Sequence, residues 1–196
     1  MALSKIDVAN MLTGATPVAN GGTGLSSGTT NQFLKFTGST TLASAADNAG
    51  KILQVVSANN STNQGSTSNT YADTSLTASI TPSATSSKVL VFMSINGVYA
   101  AAGDTCLDVV LNRTGAGSGN GGILEFGGTC GFDQGNQGSG DGGCTMTHLD
   151  SPSSTSSLTY KAQMRSSNGS DNIYINHWVR GDTRPRSTIT LMEISA

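Results

Sequence analysis

Residues 158–165 read Leu-Thr-Tyr-Lys-Ala-Gln-Met-Arg, and apolar and polar side chains alternate across all eight positions. Successive side chains of a β-strand point to opposite faces, so this alternation is typical of a strand with one buried and one wet face. The stretch therefore predicts a protein built on β-sheets.

Similar stretches recur from residue 51 onward. Residues 88–97, Lys-Val-Leu-Val-Phe-Met-Ser-Ile-Asn-Gly, are nearly continuously apolar, which is typical of a strand buried on both faces. The other predicted strands are 51–57, 76–80, 106–113, 123–126, 144–149, 173–178 and 187–194. Together with 158–165 this makes about nine short strands with turns between them. The set predicts an all-β sandwich or barrel, and eight or so strands fit a jelly roll.

The composition favours the same class. Charged residues make up 11% of the chain against about 25% in ordinary proteins, and the net charge is −2. Ser, Thr, Asn and Gly replace them, and these residues disfavour helices because their side chains compete for backbone hydrogen bonds or, for Gly, because ordering costs entropy. A disordered chain more often carries a high net charge, so the composition indicates strands with a polar outer face.

Several partner classes are not expected. The densest basic stretch, residues 180–186, holds only three Arg beside an Asp, too few cations for sequence-independent nucleic-acid binding. No apolar run reaches the length of about 18 residues that a membrane-spanning helix needs. The first residues, Met-Ala-Leu-Ser-Lys-Ile-Asp, lack the apolar core of a secretory signal, so we expect synthesis and assembly in a cytosol.

Catalytic and metal-binding motifs are weak. The Gly-rich run 138–143 is a single copy of a calcium-type repeat that works only in tandem, and the two histidines, His148 and His177, are more typical of ordinary strand residues than of ligands. No Gly-x-Ser-x-Gly elbow occurs, and acidic residues in Gly-rich loops are usually only solvated. We therefore expect no enzymatic activity, no metal and no cofactor.

The aromatic residues allow two interpretations. Trp178 with Tyr99, Tyr160 and Tyr174 could form a sugar-stacking platform, or Trp178 could fill the core or an interface between copies, which the sequence favours. Tyr174 and His177 are three positions apart on a predicted strand and are expected to face opposite sides.

The three cysteines, Cys106, Cys130 and Cys144, are an odd number. A disulfide framework more often has an even number, so reduced thiols are expected, although one pair could oxidise after release from a cell.

The chain is expected to divide near residue 48. Residues 1–48 contain two apolar patches separated by a Gly-rich run, with either a short helix at 4–11 or an extended arm. So few apolar residues cannot offset the ordering entropy of about 1–2 kcal/mol per residue. This region is therefore expected to borrow a surface from a sister chain or a partner.

The Gly-rich run carries a resemblance. Residues 17–24, Pro-Val-Ala-Asn-Gly-Gly-Thr-Gly, within Leu12 to Leu25 and followed by Gln32-Phe-Leu-Lys-Phe-Thr-Gly-Ser, resemble a recurring unit of bacteriophage tail-fibre and related virion fibre proteins. The C-terminal part is similar to the terminal domain of fibre proteins from marine and cyanobacterial phages. The stretches that carry this similarity are 51–57, 79–91, 160–167 and 187–194.

The resemblance implies a homotrimer whose N-terminal segment attaches to the virion and whose distal domain is a tumour-necrosis-factor-like jelly roll. The chain departs from long fibres because it has one such unit and no shaft, which favours a short tail fibre or appendage for host-surface recognition. The alternative is a capsid decoration or head fibre protein without receptor binding. The expected partners are other copies of the chain, virion proteins of the tail, portal or capsid, and a host-surface glycan.

Residues 1–48 are thus predicted to be an attachment arm and residues 49–196 the head domain. The apolar residues predicted to attach to the particle are Leu3, Ile6, Val8, Met11 and Leu12. Those predicted at the trimer axis, where Gly permits close approach and apolar side chains pack, are Gly21, Gly22, Gly24, Phe33, Leu34 and Phe36. Those predicted in receptor-binding loops, 115–122 and 127–143, are Asn120, Asp133, Gln134, Asn136, Gln137 and Asp141.

Overall fold

The structure is a computed structural model. It describes residues 28–30, 32–39, 41–45, 51–102, 105–115, 121–129, 142–177 and 185–195, with the backbone alone at 122 and 124–129. The chain separates into two compact units, residues 1–49 and 50–196. Within the described ranges there is no helix long and apolar enough to cross a membrane.

The described part of the first unit is a β-hairpin. Strand β1 (Phe33–Phe36) pairs antiparallel with β2 (Leu42–Ala45), and the turn is closed by the Thr37 N–H, which donates to the Thr41 carbonyl at 2.9 Å. All four residues of β1 are exposed. An isolated two-stranded hairpin is at best marginally stable in water, so this element needs a further surface to pack against.

The second unit is a sandwich of two antiparallel sheets, which we call the β10 sheet and the β6 sheet. Its strands are β3 (Ile52–Asn60), β4 (Gln64–Ser66), β5 (Ala72–Ile80), β6 (Lys88–Ala100), β7 (Leu107–Gly115), β8 (Gly121–Thr129), β9 (Gly142–Asp150), β10 (Leu158–Ser166), β11 (Ile173–Ile175) and β12 (Ser187–Ile194). The β10 sheet has the order β5-β10-β7-β8. In the β6 sheet, β3-β12-β6-β9 form the main layer, and β11 and β4 extend it from the C-terminal end of β6.

The core lies between these two sheets because most of the strands alternate, and β7 is an exception since Asp108 and Val110 on its outer face are also buried. In β10 the residues Leu158, Tyr160, Ala162 and Met164 are buried, and in the facing sheet the same holds for Ile189 and Leu191. The chain passes from sheet to sheet between most successive strands, as in a jelly roll. The prediction of an all-β, jelly-roll-like sandwich is confirmed.

Three details differ from the sequence prediction. Residues 88–97 were expected to be buried on both faces, but Phe92 is exposed because no described part of the single chain covers the outer face of β6. The strand predicted at 173–178 ends at Ile175, since Asn176 takes a positive φ of 51°. Strand β4 was not predicted, and the helix considered at 4–11 lies outside the described residues.

The sandwich has two distinct ends. At the Lys51 end, the backbone N–H of Ser195 donates to the Lys51 carbonyl at 2.9 Å, and the Ser195 hydroxyl accepts from the Lys51 N–H at 3.1 Å. Lys88, where β6 begins, pairs with Ile194 at this end. Tyr99 lies eleven residues further along β6, about 35 Å of strand away. We call this opposite end the Tyr99 end.

The cysteines differ from the expectation of three reduced thiols. Cys106 is disulfide-bonded, and Cys144 is a buried thiol on β9. The other half of the disulfide lies outside the described residues. The alternative left open by the sequence, one oxidised pair, is the one that the structure contains.

Candidate functional site

The outer face of the β10 sheet is hydrophilic. The Asp73 carboxylate accepts hydrogen bonds from Lys161 Nζ and Gln163 Nε2, both at 2.6 Å, and these contacts lower the pKa of Asp73 below its usual value. The hydroxyls of Ser79 and Thr159 are 2.8 Å apart on neighbouring strands. On β5 and β10 this face is therefore polar, whereas on β7 its residues Asp108 and Val110 are buried.

The outer face of the β6 sheet is apolar in its part toward the Lys51 end and polar beyond Phe92. Val55, Met192, Leu90 and Leu149 are paired neighbours on β3, β12, β6 and β9, so they form one row across four strands. Val55 and Leu149 are 55% and 49% exposed, and Phe92, in the next row, is 40% exposed. A contiguous row of this kind is more informative than scattered exposed apolar residues, because such rows are characteristic of interaction sites.

Every large hydrophobic residue that is exposed in the described part of the sandwich lies in this sheet, on β3, β6 or β9. We define the apolar face as the exposed and half-buried apolar residues on the outer side of the β6 sheet: Ile52, Leu53, Val55, Leu90, Phe92, Leu149, Met192 and Ile194. Among the paired positions of β3, β12, β6 and β9 on this side of the sheet, Lys88 is the single charged residue, at the margin.

A cluster of three rings lies at the Tyr99 end. Tyr99 and His177 are stacked with ring centroids 4.2 Å apart, and Tyr174 lies 5.9 Å from Tyr99 and 5.1 Å from His177. The three rings are half-buried. We call them the aromatic cluster.

The aromatic cluster corrects the expectation that Tyr174 and His177 face opposite sides. Because β11 ends at Ile175 and Asn176 adopts a positive φ, the chain turns and brings His177 back beside Tyr174. Asn176 is held there by its side-chain amide, which donates to the Thr62 carbonyl at 3.0 Å and accepts from Ser187 Oγ at 2.7 Å. Of the residues considered for a sugar-stacking platform, Tyr99 and Tyr174 lie together in the cluster, whereas Tyr160 is buried in the core and Trp178 lies outside the described residues.

Glycine makes room for one of these rings. Gly65 on β4 is paired with Tyr174, and a Cβ built on Gly65 would lie 2.5 Å from Tyr174 Cε1. The Tyr174 ring therefore lies directly over the backbone of β4. A larger residue at position 65 would displace it.

Two buried polar groups tie the sheets and loops together near the Lys51 end. Asp150 on β9 accepts hydrogen bonds from Arg113 on β7 and from the Tyr160 hydroxyl on β10, the latter at 2.7 Å. Burial raises the pKa of Tyr160, and the Asp150 hydrogen bond raises it further. Glu193 accepts from Ser83 and Gln54. Burial raises its pKa, but these hydrogen bonds outweigh that effect and hold the pKa at about 2.

Most residues predicted to be functional lie outside the described ones. This holds for Leu3, Ile6, Val8, Met11, Leu12, Gly21, Gly22, Gly24, Asn120, Asp133, Gln134, Asn136, Gln137 and Asp141, and also for Trp178. Phe33, Leu34 and Phe36 are described, and they are 64%, 53% and 69% exposed on β1. The apolar face was not predicted, because its Leu90 and Phe92 belong to the run expected to be wholly buried.

The residues that flank the two predicted receptor loops lie at different ends of the sandwich. Gly115 and Gly121, which flank residues 116–120, lie at the Lys51 end, since Gly115 pairs with Leu158 and the neighbouring Ile80 also pairs with Leu158. Thr129 and Gly142, which flank residues 130–141, lie at the Tyr99 end, opposite Leu107 and Val98. The described flanks of the two loops therefore lie at opposite ends of the sandwich.

In the described part of the chain, no group of three or more His, Cys, Asp or Glu side chains could hold a metal ion. His148 lies opposite Val91 on the sheet, whereas His177 belongs to the aromatic cluster. The expectation that the protein is not an enzyme and needs no cofactor stays a prediction.

The fold and these surfaces define a jelly-roll β-sandwich with one open apolar sheet. No family model matches the chain, and no curated protein matches it. Among solved structures, the VP2 subviral particle of infectious bursal disease virus is similar over 82% of this chain, with 12% sequence identity and a TM-score of 0.38. The chain spans 41% of that VP2 chain. A likeness at this level carries no argument about function.

Proposed function

We propose that the protein is a structural component of a bacteriophage virion, a short trimeric tail fibre or appendage with a host-facing head. In this proposal the N-terminal unit joins tail, portal or capsid proteins, and assembly takes place in the host cytoplasm. The resemblance of residues 17–24 to fibre proteins motivates the class. The arrangement of the sandwich supports the division of roles.

The single observation that carries the proposal is the opposition of the two ends. The chain enters the sandwich at Lys51, next to Ser195, and the aromatic cluster lies about 35 Å of strand away. Tyr99, Tyr174 and His177 thus lie at the end of the sandwich opposite to the one at which the chain enters it. In this proposal, that far end carries the recognition surface.

The exposed hairpin supports self-association. Phe33, Leu34 and Phe36 project on both sides of a two-stranded sheet that has no core of its own among the described residues. Packing three such hairpins around an axis would bury these side chains, each worth about 1.5–3 kcal/mol when fully removed from water. A trimer is thus a physical solution to the instability of this unit.

The aromatic cluster suits a neutral saccharide of the host surface. Sugars have apolar C–H faces that pack on rings and hydroxyls that accept and donate hydrogen bonds, and half-buried aromatic residues with nearby amides are typical of such sites. The exposed Asn172 lies two residues before Tyr174, so its amide is on the same side of the chain as the Tyr174 ring. The strands that flank residues 130–141 end at the same end of the sandwich, so Asp133, Gln134, Asn136, Gln137 and Asp141 remain candidates for the same contact.

The proposal is tested by the mass of the full chain in solution and by its place on the particle. Sedimentation equilibrium is expected to give three times the chain mass, with resistance to heat and detergent. Electron cryo-microscopy of the virion is expected to show the protein at the tail or collar. A compact single copy in solution would overturn the proposal, and density on the capsid surface would favour the decoration protein instead.

The recognition role has its own test. An excess of free protein is expected to compete with virions for adsorption to the host, and the Tyr174→Ala variant is expected to compete at least about ten-fold less well. The matched control is Tyr71→Ala, since Tyr71 packs under Arg165 on the other sheet. Equal competition by all three proteins would remove the aromatic cluster from the proposal.

A further inference from the structure

The sequence of β6 is typical of a strand that is covered on both faces, but the described residues cover only its inner face. Val89, Val91 and Met93 fill the core, and the intervening Leu90 and Phe92 are also apolar although they point to the outer face. Strands that are apolar on both faces are typical of sheets that are covered on both sides. The apolar residues on the outer face of β6 therefore suit a surface that is covered rather than one that faces water.

The edge of this sheet leads to the same conclusion. Strand β3 is nine residues long, pairs with β12 alone among the described strands, and carries the exposed Ile52, Leu53 and Val55. No Pro, Lys or other charged residue interrupts 52–60. A long apolar edge strand without such protection is prone to pair or pack with another chain, so soluble proteins cover it.

We propose that the apolar face, together with the β3 edge, is the surface on which neighbouring copies of this chain pack in the head. This contact is separate from the one made by the N-terminal hairpin. That the copies number three rests on the proposed function. The identity of the face as a contact between copies rests on the sandwich alone.

Charge favours a second copy over other occupants. The paired strand positions of the face carry only Lys88, at the margin, so the face offers little charge complementarity to an acidic or basic partner. If the outer face of the β10 sheet packed against another copy instead, the Asp73–Lys161 contact and the Ser79–Thr159 hydroxyl pair would be buried. Among the described side chains, the two outer faces of the sandwich are thus unequal, since the exposed large apolar residues all lie on the β6 side.

The dimensions suit the core of an interface. The row from Val55 to Leu149 crosses four strands, about 15 Å, and the neighbouring rows add about 7 Å on each side. A standard interface buries about 800 Å² per partner, so polar residues must complete it. Ser57, Thr190 and Thr147 lie beside Phe92 in the next row and form a neutral polar rim.

The first test uses the wild-type full chain, so no variant has to fold. Hydroxyl-radical footprinting with mass spectrometry compares the oxidation of Phe92, on the apolar face, with that of Tyr71, on the side of the other sheet, each normalised to the intrinsic rate of its ring. The single chain exposes Phe92 more than Tyr71. In the assembly, Phe92 is expected to be at least about ten-fold more protected than Tyr71, because water is excluded from the centre of an interface. Oxidation of Phe92 equal to or faster than that of Tyr71 overturns the inference.

The second test adds charge to the face. The double variant Val55→Glu with Leu149→Glu is expected to shift the protein to a smaller mass, or to lower the temperature at which the assembly dissociates. Its matched control is Ser75→Glu with Thr77→Glu, which adds the same charge to exposed positions on the outer face of the β10 sheet. Equal effects of the two variants overturn the inference.

The outcomes separate this inference from the proposed function. A trimer in which Phe92 is as reactive as Tyr71 leaves the fibre proposal standing and overturns the apolar-face contact. A dimer with Phe92 protected removes the trimer and supports the contact. A monomer at all concentrations with a reactive Phe92 overturns both.

Discussion

The carboxylate of Glu193 accepts hydrogen bonds from both the backbone N–H and the hydroxyl of Ser83, at 2.7 and 2.6 Å. Gln54 Nε2 adds a third, at 2.6 Å, so one buried side chain of β12 ties the loop after β5 to the edge strand β3. The two partners Ser83 and Glu193 are 110 residues apart in the sequence. This contact closes the Lys51 end of the sandwich.

Replacing Glu193 is expected to destabilise the sandwich. The Glu193→Gln substitution keeps the size but removes the charge, and losing charge-assisted hydrogen bonds in a buried site is expected to cost about 1–3 kcal/mol of unfolding free energy. Urea denaturation measures the loss. The control is Thr188→Ala, an exposed position on the same strand, for which a change within about 0.5 kcal/mol is expected.

The same residue predicts an acid-sensitive component of stability. The pKa of Glu193 in the folded protein is about 2, below its usual 4.5, so the unfolded chain binds the proton more tightly. The Glu193 contribution is therefore complete above pH 4.5 and is lost as the pH falls toward about 2. Thermal midpoints of wild type and Glu193→Gln, measured across this range, are expected to converge at the acidic limit, and a constant gap would contradict the prediction.

Removing Arg113 is expected to be more damaging. Arg113 is buried and donates a hydrogen bond to the Asp150 carboxylate. Without Arg113, the hydrogen bond from the Tyr160 hydroxyl would remain, but the positive charge beside Asp150 would be lost. Breaking a buried ion pair on one side typically costs about 3–5 kcal/mol, so Arg113→Met should lower the unfolding free energy by that amount.

A double variant separates charge from packing at this site. Arg113→Met with Asp150→Leu removes both charges and is expected to recover part of the loss, whereas a double variant no more stable than the single one would show that packing dominates. Lys161→Met, which breaks the exposed pair with Asp73, is the control and should cost less than about 1 kcal/mol.

Gly65→Ala is expected to displace the Tyr174 ring. The added methyl would lie 2.5 Å from Tyr174 Cε1, so either the ring or the β4 backbone must move, at a cost of about 1–3 kcal/mol. Ring-proton NMR shifts of Tyr99 and Tyr174 should change, because their mutual ring currents change. Gly38→Ala, whose added carbon would meet nothing closer than 3.6 Å, is the control and should leave those shifts in place.

The hairpin is expected to contribute to self-association without affecting the fold of the sandwich. Phe33→Ser with Phe36→Ser removes two exposed rings from β1, so the assembled mass measured by sedimentation should fall, or its dissociation should begin at higher dilution. The control is Lys35→Ser on the same strand, for which the mass should not change. A double variant that assembles as the wild type does would contradict the role of this patch.

Local alternation predicted most of the strands of the sandwich. Residues 158–165 lie within β10 and 187–194 coincide with β12, because side chains in a strand alternate strictly between core and solvent. The end of β11 was less predictable, because Asn176 adopts a positive φ and is held by hydrogen bonds to Thr62 and Ser187. These partners lie 114 and 11 residues away in the sequence, so the local pattern does not reveal them.

The candidate surfaces were harder to predict. The apolar run 88–97 signalled two covered faces, but nothing in the run tells whether the second cover is part of the same chain. The aromatic cluster needed the turn at Asn176 to bring His177 next to Tyr174, and strict alternation placed them apart. Likewise, chain order alone did not place the flanks of the two Gly-rich loops at opposite ends of the sandwich.

By itself, the sequence determined that this protein is built from strands, where most of them run, and which side chains each strand turns toward the core. These properties follow from neighbours one and two positions apart, whose geometry the backbone dictates. Only the tertiary structure decided which strands pair, which apolar face stays open, and which rings meet. Those outcomes depend on contacts between residues that are distant along the chain, such as Val55 with Met192 and Gly65 with Tyr174.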